Sequence, residues 1–277
     1  MTGDLHLALI GKHLGHSYSK NYFQQKFAGE GMSASTYDLV ELADLRGLRD
    51  MVDAEGLDGF NVTIPYKEAI IPLLDRLEPT AAAIGAVNTV RVLRRRCRNG
   101  EASLSGHRPT TLVGHNTDGP ALLDTLRPLL KPHHREALIL GTGGASKAAG
   151  WALSRLGIRH LFVSRQPDGK RDAISYAMAY HLAATHLLIV NATPVGMFPN
   201  ADDTPWQHPE LLGSRHLCFD LVYNPSPTLF LRQSAQQGAT AVDGLAMLHR
   251  QADLAFELWI GGEASQLRQF DVVHWLG

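Results

Sequence analysis

The chain has 277 residues, 44% of them hydrophobic, with 26 Lys and Arg against 27 Asp and Glu and a formal net charge of −1. That length supports a core divided over two domains, and the balanced charge argues against nucleic acid or a membrane surface as the main partner. Cys97 and Cys218 stand far apart without paired spacing, which excludes a disulfide framework and a structural zinc site.

In chain order, residues 1–10 carry too short an apolar stretch and no basic flank for a signal peptide. No apolar run approaches the ~20 residues that span a bilayer, so a reducing cytoplasm is expected. Strands are predicted at residues 7–10, 37–40 and 59–64, alternating with helices at 20–27, 45–53 and 68–77. Residues 86–93 read as extended, with 113–116 as partner. Between them, Arg94-Arg-Arg-Cys-Arg98 reads as a solvated hairpin tip, because no aromatic residues interleave with the charges.

The stretch Asn61-Val-Thr-Ile-Pro-Tyr-Lys67 places chemistry at a strand end. Pro65 holds Ile64 extended and cannot sit inside a central strand, so the strand should stop there. Asn61 and Thr63 share a face by the period of two, and Lys67 follows in the next turn. Amide, hydroxyl and ammonium groups converging there suit a polar, hydroxyl-rich substrate.

The second half opens with a buried strand at 137–141, a glycine turn Gly141-Thr-Gly-Gly-Ala-Ser146, a helix over 146–156 and a strand over 158–163. This is the spacing of a dinucleotide-binding unit, in which glycines let backbone amides approach a pyrophosphate at a helix N-terminus. Ser146 replaces the usual third glycine with another small residue. Where NAD enzymes carry an acidic residue on the ribose, this chain has Ser164 and Arg165. An arginine favours the 2′-phosphate of NADP, with Lys170 and Arg171 as support; Asp168 could instead meet the free ribose of NAD. Pro167-Asp-Gly169 is a turn signal, which predicts a loop over 165–171, a short strand near 173–176 and a helix only after that.

Residues 245–259 carry apolar positions at helical spacing, with Met247, Phe256 and Trp259 as core and Gln251 beside the stripe. Neither His13 with His16 nor His133 with His134 comes with ligand partners, so no metal site is expected.

Together these segments resemble the shikimate dehydrogenase family along nearly the whole chain. The resemblance rests on Gly15-His-Ser-Tyr-Ser19, Asn61 to Lys67, Ile84-Gly-Ala-Val-Asn-Thr89, Gly114-His-Asn-Thr-Asp118, the glycine turn, Asn191-Ala-Thr-Pro-Val-Gly-Met197, Asp220-Leu-Val-Tyr-Asn-Pro225 with Thr228, and Asp243-Gly-Leu-Ala-Met-Leu-His-Arg-Gln-Ala252. It implies an α/β fold of two lobes: residues 1–118 and 244–277 for substrate, 119–243 as a Rossmann-like lobe for NADP. It implies NADP-dependent interconversion of shikimate and 3-dehydroshikimate, with Lys67 and Asp118 as the catalytic pair. Ser17, Ser19, Thr63, Asn88, Tyr223 and Gln251 would bind substrate. Gly141, Thr142, Gly143, Gly144, Ala145, Ser164, Arg165, Thr193, Met197 and Gly244 would bind the cofactor. A small molecule is the expected partner, with no nucleic acid or membrane, and the chain is expected to act as a monomer or homodimer. A quinate/shikimate paralogue using NAD or both cofactors, another Rossmann reductase, and a nucleotide-binding regulatory module without turnover remain open at this point.

Overall fold

The computed structural model describes residues 4–15, 18–94, 110–167 and 173–261. In chain order, the first half holds β1 (His6–Gly11), α1 (Tyr18–Gly29), β2 (Thr36–Glu41), α2 (Leu48–Ala54), β3 (Gly59–Val62), α3 (Tyr66–Ala69), β4 (Arg76–Leu77), α4 (Pro79–Ile84), β5 (Thr89–Arg94) and β6 (Thr110–His115). There follow α5 (Asp118–Leu126), β7 (Glu136–Leu140), α6 (Gly144–Arg155), β8 (Arg159–Ser164), β9 (Ala173–Ser175), α7 (Tyr176–Leu182), β10 (Leu188–Asn191), β11 (Leu217–Asp220), α8 (Leu229–Gln236), β12 (Thr240–Val242) and α9 (Leu245–Ile260). Two compact units result: unit 1 from Met1–Leu77, Asn88–His115 and Ala252–Gly277, and unit 2 from Glu78–Val87 and Asn116–Gln251.

Unit 1 is a six-stranded mixed sheet in the order β2-β1-β3-β5-β6-β4. β1 runs parallel to β2 and β3, whereas β5 is antiparallel to β3 and to β6. The start of β5 and the end of β6 therefore lie at the same edge as the ends of β1 to β3. In α1, Phe23 and Phe27 lie one turn apart and bury against the sheet, Phe23 stacking on Tyr37 at 4.4 Å between ring centroids. The second half of α9 completes this core with Ala252, Ala255, Phe256 and Trp259, a stripe at helical spacing. Gly59 makes room for Trp259: a Cβ there would lie 2.3 Å from the indole Nε1, which donates to Val90 O at 3.0 Å.

The helix predicted over 68–77 is not formed. α3 is a single turn, a 3-10 turn follows at Ile71–Leu73, Leu74 is extended, and β4 pairs with β6. Pro72 lacks the N–H that a continuing helix needs. The Asp75 carboxylate accepts from Leu112 N at 2.7 Å and pairs with Arg49, which draws the chain onto the sheet edge. The predicted helix over 45–53 starts only at Leu48, because Gly47 before it is left-handed with φ 70. The stretch 86–93 becomes a ladder strand only from Thr89.

Unit 2 is an all-parallel sheet in the order β12-β11-β10-β7-β8-β9. Its central strands β7, β10 and β11 are almost wholly buried, as parallel strands covered on both faces must be. Trp206 is buried in the same core and donates from its indole to His208 O. β9 and α7 appear where the sequence predicts a short strand and a late helix, and Arg165–Pro167 is non-helical. The remainder of that predicted loop, including Asp168, Lys170 and Arg171, lies outside the described residues, as do Cys97 and the hairpin tip from 95. Among the described residues no helix is long and apolar enough to cross a membrane.

Candidate active site

In unit 1 the strand ends are tied by one side chain. Asn61, 6% exposed on β3, accepts from Tyr37 OH at 2.7 Å and donates to Asn88 O at 3.1 Å and Thr89 Oγ1 at 3.0 Å. Its amide is thus consumed by the scaffold, and Asn61 serves architecture rather than substrate. Val62 N also donates to Asn88 O, at 2.8 Å, so Asn88 is held beside the end of β3. Half-buried Thr63 follows immediately, its N–H bonded to Ile10 O. Tyr66 is buried and its hydroxyl donates to Leu42 O at 2.6 Å, anchoring the one-turn α3 on which half-buried Lys67 rides. Ser19 lies in the first turn of α1, after β1, while Ser17 falls outside the described residues.

His115 ends β6 in the same unit. Burial, then the nearby Arg91 and Arg76 charges, push its imidazole down to about 4, and its buried Nε2 has no hydrogen-bond partner among the described residues. It is therefore neutral at physiological pH.

In unit 2, Asn116 shapes the start of α5. Its Nδ2 donates to Ala86 O at 2.9 Å and its Oδ1 accepts from Gly119 N at 3.0 Å. Asp118, 6% exposed, is the first residue of that helix. Gly119 cannot be larger, since a Cβ would lie 2.7 Å from Ile84 Cδ1 and 2.9 Å from the Trp151 ring.

The carboxyl ends of the parallel strands gather the nucleotide motifs. Gly141 follows β7 with φ 108, and a Cβ there would meet Ser146 Oγ at 2.9 Å and Thr193 Cγ2 at 3.0 Å. Gly141 and Thr193 thus come together where the connections leaving β7 and β10 part to either side, the place at which such sheets bind ligands. Gly143 opens α6 with nothing within 4 Å of its missing side chain. Thr142, Gly143, Gly144 and Ala145 present backbone at a helix N-terminus, a ready anion site. Ser146 Oγ is buried behind them without a hydrogen-bond partner among the described residues. A backbone cradle of this kind fits a pyrophosphate. At the end of β8, Ser164 Oγ accepts from Gln166 N, and exposed Arg165 lies close enough to Tyr176 to act on its phenol, which burial pushes up to about 12.

A buried carboxylate organises the neighbouring loops. Asp220, ending β11 and fully buried, accepts from Asn191 Nδ2 at 2.8 Å, Val222 N at 2.9 Å and Thr228 Oγ1 at 2.7 Å. Burial raises its acid to about 6, against the pull of those three donors. Thr228 also caps α8, and Asn191 Oδ1 receives Thr193 N and Oγ1. One network therefore shapes both the Thr193 loop, which continues to partly exposed Met197, and the turn bearing half-buried Tyr223. Gly244 follows β12 where a Cβ would lie 2.5 Å from Leu221 O. Gln251, on α9, donates to Leu248 O at 2.9 Å.

The topology gathers Thr63, Lys67 and Asn88 at one edge of unit 1, and Gly141, Thr193, Arg165 and Gly244 at one edge of unit 2. Sequence reasoning read Asn61 as an amide facing substrate and quoted Asn191, Asp220 and Thr228 only as parts of motifs; it did not find that these side chains, with Tyr37 and Tyr66, hold the edges. For all but Tyr37, a polar type inside a motif is the only signal.

A parallel sheet in the order 3-2-1-4-5-6, counted from β7, with a glycine turn opening α6, defines a dinucleotide-binding α/β protein. The family model for the shikimate dehydrogenase substrate binding domain matches residues 9–90. The shikimate dehydrogenase (NADP(+)) of Moorella thermoacetica is 34% identical over 278 residues, covering 93% of this chain and 88% of its own. The chain belongs to the shikimate dehydrogenase family. Among solved structures, shikimate 5-dehydrogenase from Thermus thermophilus in complex with NADP(H) and shikimate is 32% identical, with a TM-score of 0.75 over 92% of this chain and 93% of that one. Quinate dehydrogenase from Corynebacterium glutamicum in complex with NAD is 26% identical, with a TM-score of 0.76 over 94% and 95%.

Proposed function

We infer that this chain is a shikimate dehydrogenase, an oxidoreductase that interconverts shikimate and 3-dehydroshikimate with NADP in aromatic amino-acid biosynthesis. The observation that carries this is the 34% identity, along 93% of the chain, to a relative named for that activity. When bound, NADP supplies the hydride acceptor for the secondary alcohol.

The chain's own residues supply the rest. Backbone amides over Gly141, Thr142, Gly143, Gly144 and Ala145 would hold the pyrophosphate, and Ser164 with Arg165 the 2′-phosphate. Thr193, Met197 and Gly244 would line the remainder of the cofactor. Lys67 and Asp118 form the proposed acid–base pair: oxidation of an alcohol requires loss of its hydroxyl proton, which an ammonium and a carboxylate can hold and relay. In the reverse direction Lys67 stabilises the negative charge growing on the carbonyl oxygen. Ser17, Ser19, Thr63, Asn88, Tyr223 and Gln251 would orient the substrate carboxylate and hydroxyls. By ligand, residues 1–118 and 244–277 serve substrate and 119–243 serve nucleotide. We place the enzyme in the cytoplasm, as a monomer or homodimer; the free, buried Cys218 accords with a reducing compartment.

An absorbance assay of NADPH formation tests this, with shikimate and quinate each offered with NADP and NAD. Turnover of shikimate with NADP is expected. A preference for quinate with NAD, the pair suggested by the Corynebacterium glutamicum neighbour, would move the chain to a paralogous activity. No turnover with any combination would leave a nucleotide-binding module.

A further inference from the structure

The register of β8 and β9 puts the residues that follow them side by side. Val163 pairs with Ile174 and Ser164 with Ser175 on parallel strands, so Arg165 and Tyr176 leave the sheet next to each other at its carboxyl edge. Ser175 uses its hydroxyl within its own segment, accepting from Met178 N at 3.3 Å. Tyr176 is placed differently. Its ring is half-buried, packs against the unit 2 core and lies 6.2 Å from that of Tyr180 between centroids.

The Tyr176 hydroxyl makes no hydrogen bond among the described residues, although a tyrosine with so much of its ring covered usually finds a partner. Burial pushes the phenol up to about 12, so at neutral pH it keeps its proton and can donate it. Exposed Arg165, whose charge acts on that phenol, has no hydrogen-bond or ion-pair partner among the described residues either. The Ser164 hydroxyl accepts from Gln166 N at 3.2 Å and still has its own proton to give. Three donors thus stand at one edge of unit 2 without an acceptor among the described residues.

We propose that Tyr176 is a specificity-determining residue for the cofactor, its hydroxyl donating to the 2′-phosphate of NADP beside Ser164 and Arg165. This rests on the reading of Ser164 and Arg165 as 2′-phosphate ligands given above. A phosphate offers three acceptor oxygens, more than one guanidinium satisfies. The two larger side chains divide the task. Arg165 brings charge on a long, exposed stem, which salt screens. Tyr176 brings a neutral donor on a ring already fixed by packing, which loses little freedom on binding. With NAD the phenol is left without that acceptor, so its contribution goes to NADP alone.

The test uses the full chain with Tyr176→Phe and Arg165→Ala, and two probes that differ only in the phosphate, adenosine 2′,5′-bisphosphate and adenosine 5′-monophosphate. Their Kd values come from calorimetry at low and high salt, with Tm as a control on folding. Tyr176→Phe should weaken the bisphosphate about tenfold at both salt concentrations, the scale of one hydrogen bond to a charged group, and move the monophosphate by less than about twofold. Tm should hold, since the ring stays packed. Arg165→Ala should weaken the bisphosphate chiefly at low salt. Equal losses on both nucleotides in Tyr176→Phe would place the ring against the adenine and overturn the proposal. So would an unchanged bisphosphate Kd in that variant, whatever happens to Tm or in Arg165→Ala. If Tyr176→Phe loses the bisphosphate and Arg165→Ala does not, the phenol holds the phosphate and the reading of Arg165 falls instead. A parent that binds both nucleotides alike would sink the 2′-phosphate reading of this edge, and Tyr176 with it.

Discussion

The two units pin their strand ends with opposite chemistry. Unit 1 uses Asn61, a neutral amide that donates and accepts at once and so ties β2 and β5 to β3. Unit 2 uses Asp220, a carboxylate that only accepts and so collects three donors from loops around it. The difference follows from what each edge presents. An edge that offers side chains, such as Lys67 and Thr63, needs its strands locked in register, and an amide suits paired backbones. An edge that offers backbone to a phosphate needs sharp turns, which leave surplus N–H and hydroxyl donors, and an acceptor gathers them. The second solution carries a cost the first does not, since a buried carboxylate titrates.

The largest expected effect lies on the side-chain edge. Lys67→Ala should lower kcat by roughly two to four decades, the range of a positioned acid–base group, with Tm nearly unchanged because Lys67 is only half-buried. Asp118→Asn should do the same to kcat. Near-native turnover in either would end the proposed mechanism.

On the backbone edge, by contrast, adding one methyl should be damaging. Gly244→Ala drives a Cβ against Leu221 O, and Gly141→Ala adds strain at φ 108 to contacts near 3 Å. Each should cost about 2–4 kcal/mol of stability in chemical denaturation and weaken NADP binding. If both variants bound NADP normally and unfolded like the parent, the close approach would not matter.

The titration contrast can be read directly. Asp220, raised to about 6 when folded, binds a proton more readily there than in the unfolded chain, so its stabilising contribution is full below about pH 4 and lost as pH rises through 6. His115, lowered to about 4, has the opposite sign: its contribution is full above about pH 6.5 and lost as pH falls through 4. Between pH 4 and 6 the two oppose each other. Asp220→Asn should make stability fall more steeply on acidification, and His115→Gln should make it fall less, each by on the order of 1–3 kcal/mol across the window. Parallel profiles of Tm against pH for all three proteins would refute the assignment.

The smallest effect is expected at Arg165. Arg165→Ala should raise KM for NADP about tenfold and leave NAD unchanged, and the parent's preference should weaken with salt because the guanidinium is exposed. Equal losses with both cofactors would make the residue structural.

What could be read in advance follows the same divide. The glycine turn announces itself because φ 108 and the crowding around Gly141 admit little else. Pro167 marks the break before β9 and α7 for a comparable backbone reason. The register pins could not be read this way: a buried Asn61 or Asp220 is the same letter as an exposed one, and the partners of Asn61, with Asn191 for Asp220, lie 24 to 29 residues away in sequence. Tyr66 gave no sign that its hydroxyl would reach Leu42. The region 68–77 misled because Ile70, Leu73, Leu74 and Leu77 repeat at helical spacing, while Asp75 and Pro72 decide for turn and sheet.

The place of Trp259 in the unit 1 core bears on how the molecule is made. Gly59 and Val90 are synthesised early, yet the ring that fills the space beside them arrives after the whole of unit 2. From the end of β6 at 115 to the start of the returning segment at 252 is 252 − 115 = 137 residues, which a ribosome adds in on the order of ten seconds. For that interval the emerging amino-terminal sheet exposes the apolar face that Phe256 and Trp259 later cover. A nascent chain in this state is a natural client for a chaperone that shields hydrophobic surface, and a chain terminated before Ala252 would stay one.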